Sequence, residues 1–322
     1  MQQRHRLCGC LLALSLTAMA QAPVWSHAGP AGIVGGPVEV LAAANTGTGV
    51  LLAGGAGGVW QIAGSGGSVL SAGAPVSALA VSGDGAIYAG TGDLHGARLW
   101  GGSGVELSQD GGASWTVLGG KELAGLAISQ VLVSPGNPQQ LWVATVAADD
   151  SPPGTQPGVY ESLDGGGSWR QVLTGSVWDM AQSGSRWLAV SNATLSVSSD
   201  GTAFAPLALP SQPASWVRAR AIAQAEGGFL VALALPSGAV SLWQIDAEGQ
   251  VRTLPSPPVT ANRRALALAE APGGGFWVGG QGVAMSPDGG QSWQAATAPD
   301  GAVHVLAPTA GGGAWVGCDH GV

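Results

Sequence analysis

The chain has 322 residues, a formal net charge of -8, 9% charged and 46% hydrophobic residues, and 55 glycines. That balance excludes a charged disordered chain, and the glycine content argues against a helical fold, because each glycine inside a helix costs about 1 kcal/mol against alanine. Only 11 Lys and Arg are present, too few to cluster against phosphates, which excludes nucleic acid as a partner.

Residues 1–22 read as an export signal. Arg4, His5 and Arg6 give a basic start, Leu11 to Ala20 an apolar run, and Ala18-Met19-Ala20 or Ala20-Gln21-Ala22 a small-residue cleavage site. Leu7-Cys8-Gly9-Cys10 precedes the apolar run instead of ending it, which is the wrong side for lipid attachment. Cleavage after Ala20 or Ala22 removes Cys8 and Cys10 and leaves Cys318 alone, so no internal disulfide is expected in a periplasmic or secreted product. Beyond the signal, no run reaches the roughly 18 uninterrupted apolar residues of a membrane helix. Val24-Trp25-Ser26-His27 and Ile33-Val34-Gly35-Gly36 follow as two short strand-like pieces.

From Val38 onward the chain repeats itself. Ser108 to Trp115, Ser162 to Trp169 and Ser286 to Trp293 share the pattern S-x-D-G-G-x-S-W, and a degenerate copy, Ser199 to Phe204, keeps Asp200-Gly201 and has Phe in place of Trp. Asp-Gly between alternating apolar runs predicts a hairpin: glycine supplies the positive φ, and the carboxylate accepts N–H bonds across the turn. Trp115, Trp169 and Trp293 then lie on the outgoing strands, placed to cover a neighbouring layer. Around each turn the order is apolar run, Gly-rich turn, second run, loop and box-bearing hairpin. Val76–Ser82, Ala86–Thr91, Gly104–Ser108 and Ser114–Leu118 are the a, b, c and d strands of one such unit; Ile128–Ser134, Leu141–Ala147, Gly158–Ser162 and Ser168–Leu173 are those of the next. Units fall at about 38–73, 75–120, 123–175, 176–210, 215–258 and 263–299, a spacing typical of propeller blades, with no box in the first and fifth. A seventh begins at Ala302 but holds only two strands, Val303–Pro308 and Ala314–Cys318. Val24–Gly36 is expected to complete it as strands c and d; the alternative is a six-bladed ring.

The S-x-D-G-G-x-S-W phrase resembles the Asp box, or bacterial neuraminidase repeat, of sialidases, sortilin-type ectodomains and photosystem II assembly-factor propellers. The resemblance implies an all-β propeller of four-stranded antiparallel blades in which Asp110, Asp164, Asp200 and Asp288 are structural, in c–d turns opposite the ligand-binding face. It does not extend to sialidase chemistry. The segment Val38 to Gly73 lacks the arginine that family places in its first blade, Tyr88 and Tyr160 lie inside strands, and Glu106 and Glu161 sit on strands near the boxes. Other catalytic templates and a Cys-x-x-Cys pair are missing after residue 22. No cofactor or metal is called for.

The b–c and d–a loops should form the binding face. Asp93, His95 and Arg98 fall in one b–c loop and Asp149 and Asp150 in the next; Asp179, Arg218, Arg220, Arg263, Arg264 and His304 lie at d–a connections, and Asp319 and His320 in the last b–c turn. Arg218, Arg220, Arg263 and Arg264 stand at successive connections, a patch suited to a carboxylate or an acidic protein surface on an otherwise acidic protein. The most useful resemblance is to photosystem II stability and assembly-factor propellers, which implies an exported, monomeric, non-catalytic scaffold that binds a protein partner. The rivals are a glycan hydrolase, for which Asp93 with Asp149 or Asp150 is the only carboxylate pair to nominate, and a small-ligand or metal binder marked by convergence of His95, His304 and His320.

Overall fold

The computed structural model describes residues 10–14, 25–27, 37–43, 51–63, 66–71, 73–209, 215–224, 227–271, 273–296, 301–309 and 314–319. These form β-strands joined by turns, with no α-helix among the described residues. Two short strands come first, β1 (Cys10–Leu14) and β2 (Trp25–His27). The first blade is β3 (Val38–Ala43), β4 (Leu51–Gly55), β5 (Gly58–Ala63) and β6 (Gly66–Ser71). The second is β7 (Val76–Val81), β8 (Ile87–Thr91), β9 (Val105–Ser108) and β10 (Thr116–Leu118). The third is β11 (Leu126–Ser134), β12 (Asn137–Ala147), β13 (Gly158–Ser162) and β14 (Arg170–Thr174). The fourth is β15 (Val177–Ser183), β16 (Arg186–Ser191), β17 (Leu195–Ser198) and β18 (Ala205–Pro206). The fifth is β19 (Arg218–Ala223), β20 (Phe229–Ala234), β21 (Val240–Ile245) and β22 (Val251–Leu254). The sixth is β23 (Ala267–Ala271), β24 (Gly275–Gly280), β25 (Gly282–Ser286) and β26 (Gln294–Ala296). Last come β27 (Val303–Pro308) and β28 (Ala314–Cys318).

Six blades thus use four consecutive antiparallel strands each, the number in the six-bladed alternative. A further four-stranded sheet, in the order β2-β1-β28-β27, joins the chain's two ends. The expectation that Val24–Gly36 supplies both of its missing strands is corrected. The neighbour of β28 is β1, with Cys10 opposite Cys318 and Leu12 opposite Val316, while Trp25–His27 forms the outer strand against β1. Residues 11–14, the described part of the apolar run read as an export signal, are aliphatic, and pairing with β28 and β2 satisfies backbone groups there. Ile33–Gly36 lies outside the described residues.

Burial explains the sequence of each blade. The first strands pack side by side from β3 through β7, β11, β15, β19 and β23 to β27, and β27 packs back against β3. Second strands lie between neighbours on both faces: β4, β8, β20 and β24 are buried along their whole length, hence their unbroken apolar runs. Fourth strands at the rim are short and mostly exposed, as in β10, β18 and β26, which leaves little free edge for aggregation.

The repeated Asp-Gly turns sit where expected, between the third and fourth strands. Ser108 Oγ donates to Asp110 Oδ1 (2.9 Å) and accepts from Gly112 N (2.7 Å), while Asp110 accepts from Ser114 N (2.8 Å) and Ser114 Oγ (2.6 Å). The same bonds recur around Asp164 and Asp288. In the degenerate turn the bridging hydroxyl is that of Ser198, one residue before the copy as read from the sequence, and Asp200 accepts from Thr202 N and Ala203 N.

The second glycine of each full copy couples the turn to the preceding blade. Gly112, Gly166 and Gly290 have φ of 97°, 94° and 88°, and a Cβ there would lie 2.8, 2.7 and 2.8 Å from Leu70, Leu118 and Leu254 of the preceding rim strands. Trp115 Nε1 donates to Leu70 O and Trp293 Nε1 to Pro255 O, while Trp169 Nε1 closes on its own turn at Gly166 O. In the fourth blade Gly201 sits against Trp142 and Trp187, whose rings are 4.1 Å apart.

Serine hydroxyl and backbone donors hold the Asp110, Asp164 and Asp288 carboxyls down at about 2, below their ordinary 3.8; Asp200 is lowered as well, chiefly by the amides of Ala203 and Thr202. A folded-state value below the unfolded one stabilises above 3.8, and that stability is lost as pH falls toward 2. The melting temperature should therefore hold on acidification to about pH 4 and drop below it. Thermal melts of a triple Asp110→Asn, Asp164→Asn, Asp288→Asn variant should show a lower melting temperature at neutral pH and a shallower acid drop; an acid limb of unaltered size would refute the assignment.

Candidate functional site

Where the first strands converge, the backbone is irregular in a repeated way. Register shifts fall between Val38 and Val40, Val76 and Ala78, Ile128 and Gln130, Val177 and Asp179, and Val303 and Val305. The skipped residues are Glu39, Ser77, Ser129, Trp178 and His304, all buried. A β-bulge re-aims its extra side chain, and here each lies at the d–a end of the ring, remote from the Asp-Gly turns. Two of them staple neighbouring blades: Ser77 Oγ donates to Ile128 O and Ser129 Oγ to Val177 O, both at 2.6 Å. Arg218 occupies the corresponding place at the head of β19 and is 1% exposed.

The β8–β9 loop covers this end of the ring, called the mouth below. Its base is closed by the Asp93–Trp100 bridge, and Asp93 Oδ1 caps its turn by accepting from His95 N and Gly96 N, each at 2.8 Å. Leu94 and Leu99 join a core cluster with Ala127, Trp178, Trp216 and Ala219. Leu99 N donates to Asp149 Oδ2 and Gly101 N to Asp150 Oδ1, tying the loop to the third blade. Arg263 Nη2 reaches over from the sixth blade to Gly96 O (3.2 Å) and Ala97 O (2.8 Å).

His95 is the centre of a buried polar chain. Its Nδ1 lies 2.8 Å from Glu39 Oε2, its Nε2 lies 2.9 Å from Arg218 Nη2, and its ring meets that of His304 edge-on at 5.2 Å. Arg218 can only donate, so Nε2 is the acceptor and Nδ1 carries the proton facing Glu39. Burial, then the charges of Arg218 and His304, holds His95 well below its ordinary value, so the ring is neutral at neutral pH. Burial and Asp93 push Glu39 well above the usual carboxylate range, against the opposing pull of Arg218. Arg218 also donates to Leu94 O and stacks on Trp178 with 5.4 Å to the ring centroid; burial and the nearby Arg220 draw it down to about 9, still protonated at neutral pH.

Around this chain the remaining groups fall into place. Arg220 Nε donates to Leu266 O and its Nη1 lies 3.9 Å from Asp179 Oδ2. Burial raises Asp179, whose carboxylate accepts from Met180 N and Ala221 N. Both nitrogens of His304 face acceptors, Arg264 O at 2.7 Å and Asp319 Oδ1 at 2.6 Å. Arg264 itself is exposed, its N–H held by Asn262 Oδ1.

The structure therefore gathers Arg218, Arg220, Arg263 and His95 at this end of the ring, with Arg218 and His95 buried and Arg264, the next residue after Arg263, exposed. Asp93, Asp149 and Asp150 each accept backbone N–H bonds in the β8–β9 loop, so all three carboxylates nominated for acid–base chemistry are engaged in shaping it. His95 and His304 meet, while His320 lies outside the described residues; among the described residues no group of three His, Cys, Asp or Glu is placed to hold a metal. Glu39 escaped the sequence reading. Its signal is a polar residue between two aliphatics at the head of a first strand, as in Val38-Glu39-Val40 and Val303-His304-Val305.

No protein-family model matches the chain, and no curated protein sequence matches it. Solved structures do. A YCF48 bound to D1 peptide superposes with a TM-score of 0.61 at 14% identity, covering 88% of this chain and 90% of that one. YCF48 from Cyanidioschyzon merolae gives 0.61 at 14%, covering 88% and 94%. The chain shares the propeller fold of these proteins. The GH74 xyloglucanase from Xanthomonas campestris (Xcc1752) matches at 0.57 and 19% identity over 88% of this chain and 43% of its own, so the chain spans under half of that enzyme.

Proposed function

We propose that this protein is an exported, monomeric, non-catalytic propeller of the Asp-box type that docks a protein partner at the channel mouth, as a scaffold or assembly and stability factor for a periplasmic or membrane complex. The observation that carries the reading is the convergence of Arg218, Arg220 and Arg263 beside exposed Arg264 in a chain with a net charge of -8. Such a basic mouth suits an acidic segment, because guanidinium–carboxylate bonds are charge-assisted and frequently bidentate. One neighbour of the same fold was solved with a bound peptide, which supports a protein ligand. The Asp-box assignment draws on the recurrent Ser–Asp–Ser turns, and counting the terminal sheet as a seventh blade draws on its packing between β23 and β3.

Export is tested by fractionating cells and sequencing the mature N-terminus, expected after Ala20 or Ala22. Cleavage there removes β1, and β28 must then pair with another strand. The docking reading is tested by capture from an envelope extract of the source cells. Arg263→Glu with Arg264→Glu, at the half-buried and the exposed arginine, should abolish the partner band while leaving the melting curve of a folded propeller, and undiminished capture would reject this end of the ring as the docking site.

A further inference from the structure

The loop that crosses the mouth is held there by groups that a partner would also use. Arg263 spends its guanidinium on two neutral carbonyls, Gly96 O and Ala97 O, and a carboxylate is the stronger acceptor for it. Below, His95 is fully enclosed, yet its seat is imperfect. Glu39 Oε2 and His95 Nδ1 approach to 2.8 Å without the alignment of a hydrogen bond, and Arg218 Nε is likewise buried without a bonded acceptor. Buried polar atoms in this condition favour any occupant that satisfies them better.

Resting on the reading of the mouth as a docking site, we propose that the β8–β9 loop is an internal plug, with His95 standing in for a side chain of the partner. The partner is an acidic segment that carries one carboxamide: its carboxylates draw Arg263 off the loop, and the carboxamide enters between Glu39 and Arg218. The imidazole defines what that place accepts, namely a group that takes a hydrogen bond from Arg218 Nη2 and presents a donor to Glu39. An Asn or Gln side chain offers both. A second carboxylate offers only the acceptor, and an aliphatic group neither. Coupling follows from competition for one seat, since the segment binds the unplugged mouth and the plug binds its absence.

The test uses the full chain and three Glu-rich peptides that differ at one central position, Gln, Glu or Leu. Fluorescence anisotropy should rank Gln tightest, by roughly tenfold over Leu. Hydrogen exchange of the wild-type chain with the Gln peptide should show amides of residues 94–100 losing protection as the peptide binds. His95→Ala should bind that peptide several-fold more tightly than wild type, since no plug has to leave. If His95→Ala folds poorly, the wild-type exchange measurement decides alone. Binding that is abolished by Arg263→Glu but indifferent to the central residue, with loop protection retained, overturns the plug and leaves the basic mouth standing. Failure of all three peptides to bind overturns both.

Discussion

Replacing Arg218 by Met should destabilise the protein by about 3–5 kcal/mol at neutral pH, the cost of removing one partner from a buried charged set. Arg218 is 1% exposed and holds together groups from three places in the ring: His95 and Leu94 O of the β8–β9 loop, the ring of Trp178 and the carboxyl of Asp179 on β15, and the carboxyl of Glu39 on β3, the two carboxyls through space. Met matches the length of the stem and keeps its packing, so the loss isolates the charge. Without the guanidinium, Glu39 and Asp179 remain buried in a site that already raises both. Raised carboxyls stabilise the fold below their unfolded values and lose that contribution as pH rises, so the penalty should shrink on mild acidification. Urea unfolding at neutral pH and near pH 5 measures both; a loss under about 1 kcal/mol at neutral pH would show that the guanidinium does not organise the mouth.

A second large effect is expected at Gly317, where the last strands meet the first blade. A Cβ there would lie 2.6 Å from Val305 Cγ1 and 2.8 Å from both Val38 Cγ1 and Val38 O. The same interlock recurs between consecutive blades, Gly54 with Val76 at 2.8 Å, Gly90 with Ile128 at 2.4 Å and Gly279 with Val303 at 2.5 Å, so a glycine late in the second strand receives the aliphatic residue that heads the next blade. Gly317→Val has backbone as well as side chain in its way, and overpacking of this kind costs about 1–3 kcal/mol or more. Because the contact joins the chain's two ends, the substitution should also raise hydrogen exchange in β3, β27 and β28 ahead of global unfolding. Unchanged stability with unchanged exchange would mean that the terminal sheet is not seated on the first blade.

The blade strands and Asp-Gly turns were legible in the sequence because their causes are local. Apolar alternation sets the strands, and S-x-D-G-G-x-S-W contains within eight residues every donor and acceptor of its turn, as the bonds around Asp110, Asp164 and Asp288 bear out. Loop polarity also pointed to the end of the ring where Arg218, Arg220 and Arg263 meet.

What the sequence determined by itself, then, is the repeating unit and the residue types at its ends, since both depend on neighbours a few positions away. Tertiary structure decided everything that depends on which distant residues share a place. It put β1, read as part of an export signal, beside β28 instead of a later segment, because the strand that fills an open edge is chosen by position in the ring and not by its own sequence. The bulges at Glu39 and His304 turned both side chains into one buried cluster, and Glu39 had carried no mark in the sequence reading. Folding of the β8–β9 loop placed His95 between Glu39 and Arg218, residues 56 and 123 positions away along the chain, and no spacing rule reports a contact made across the diameter of a propeller.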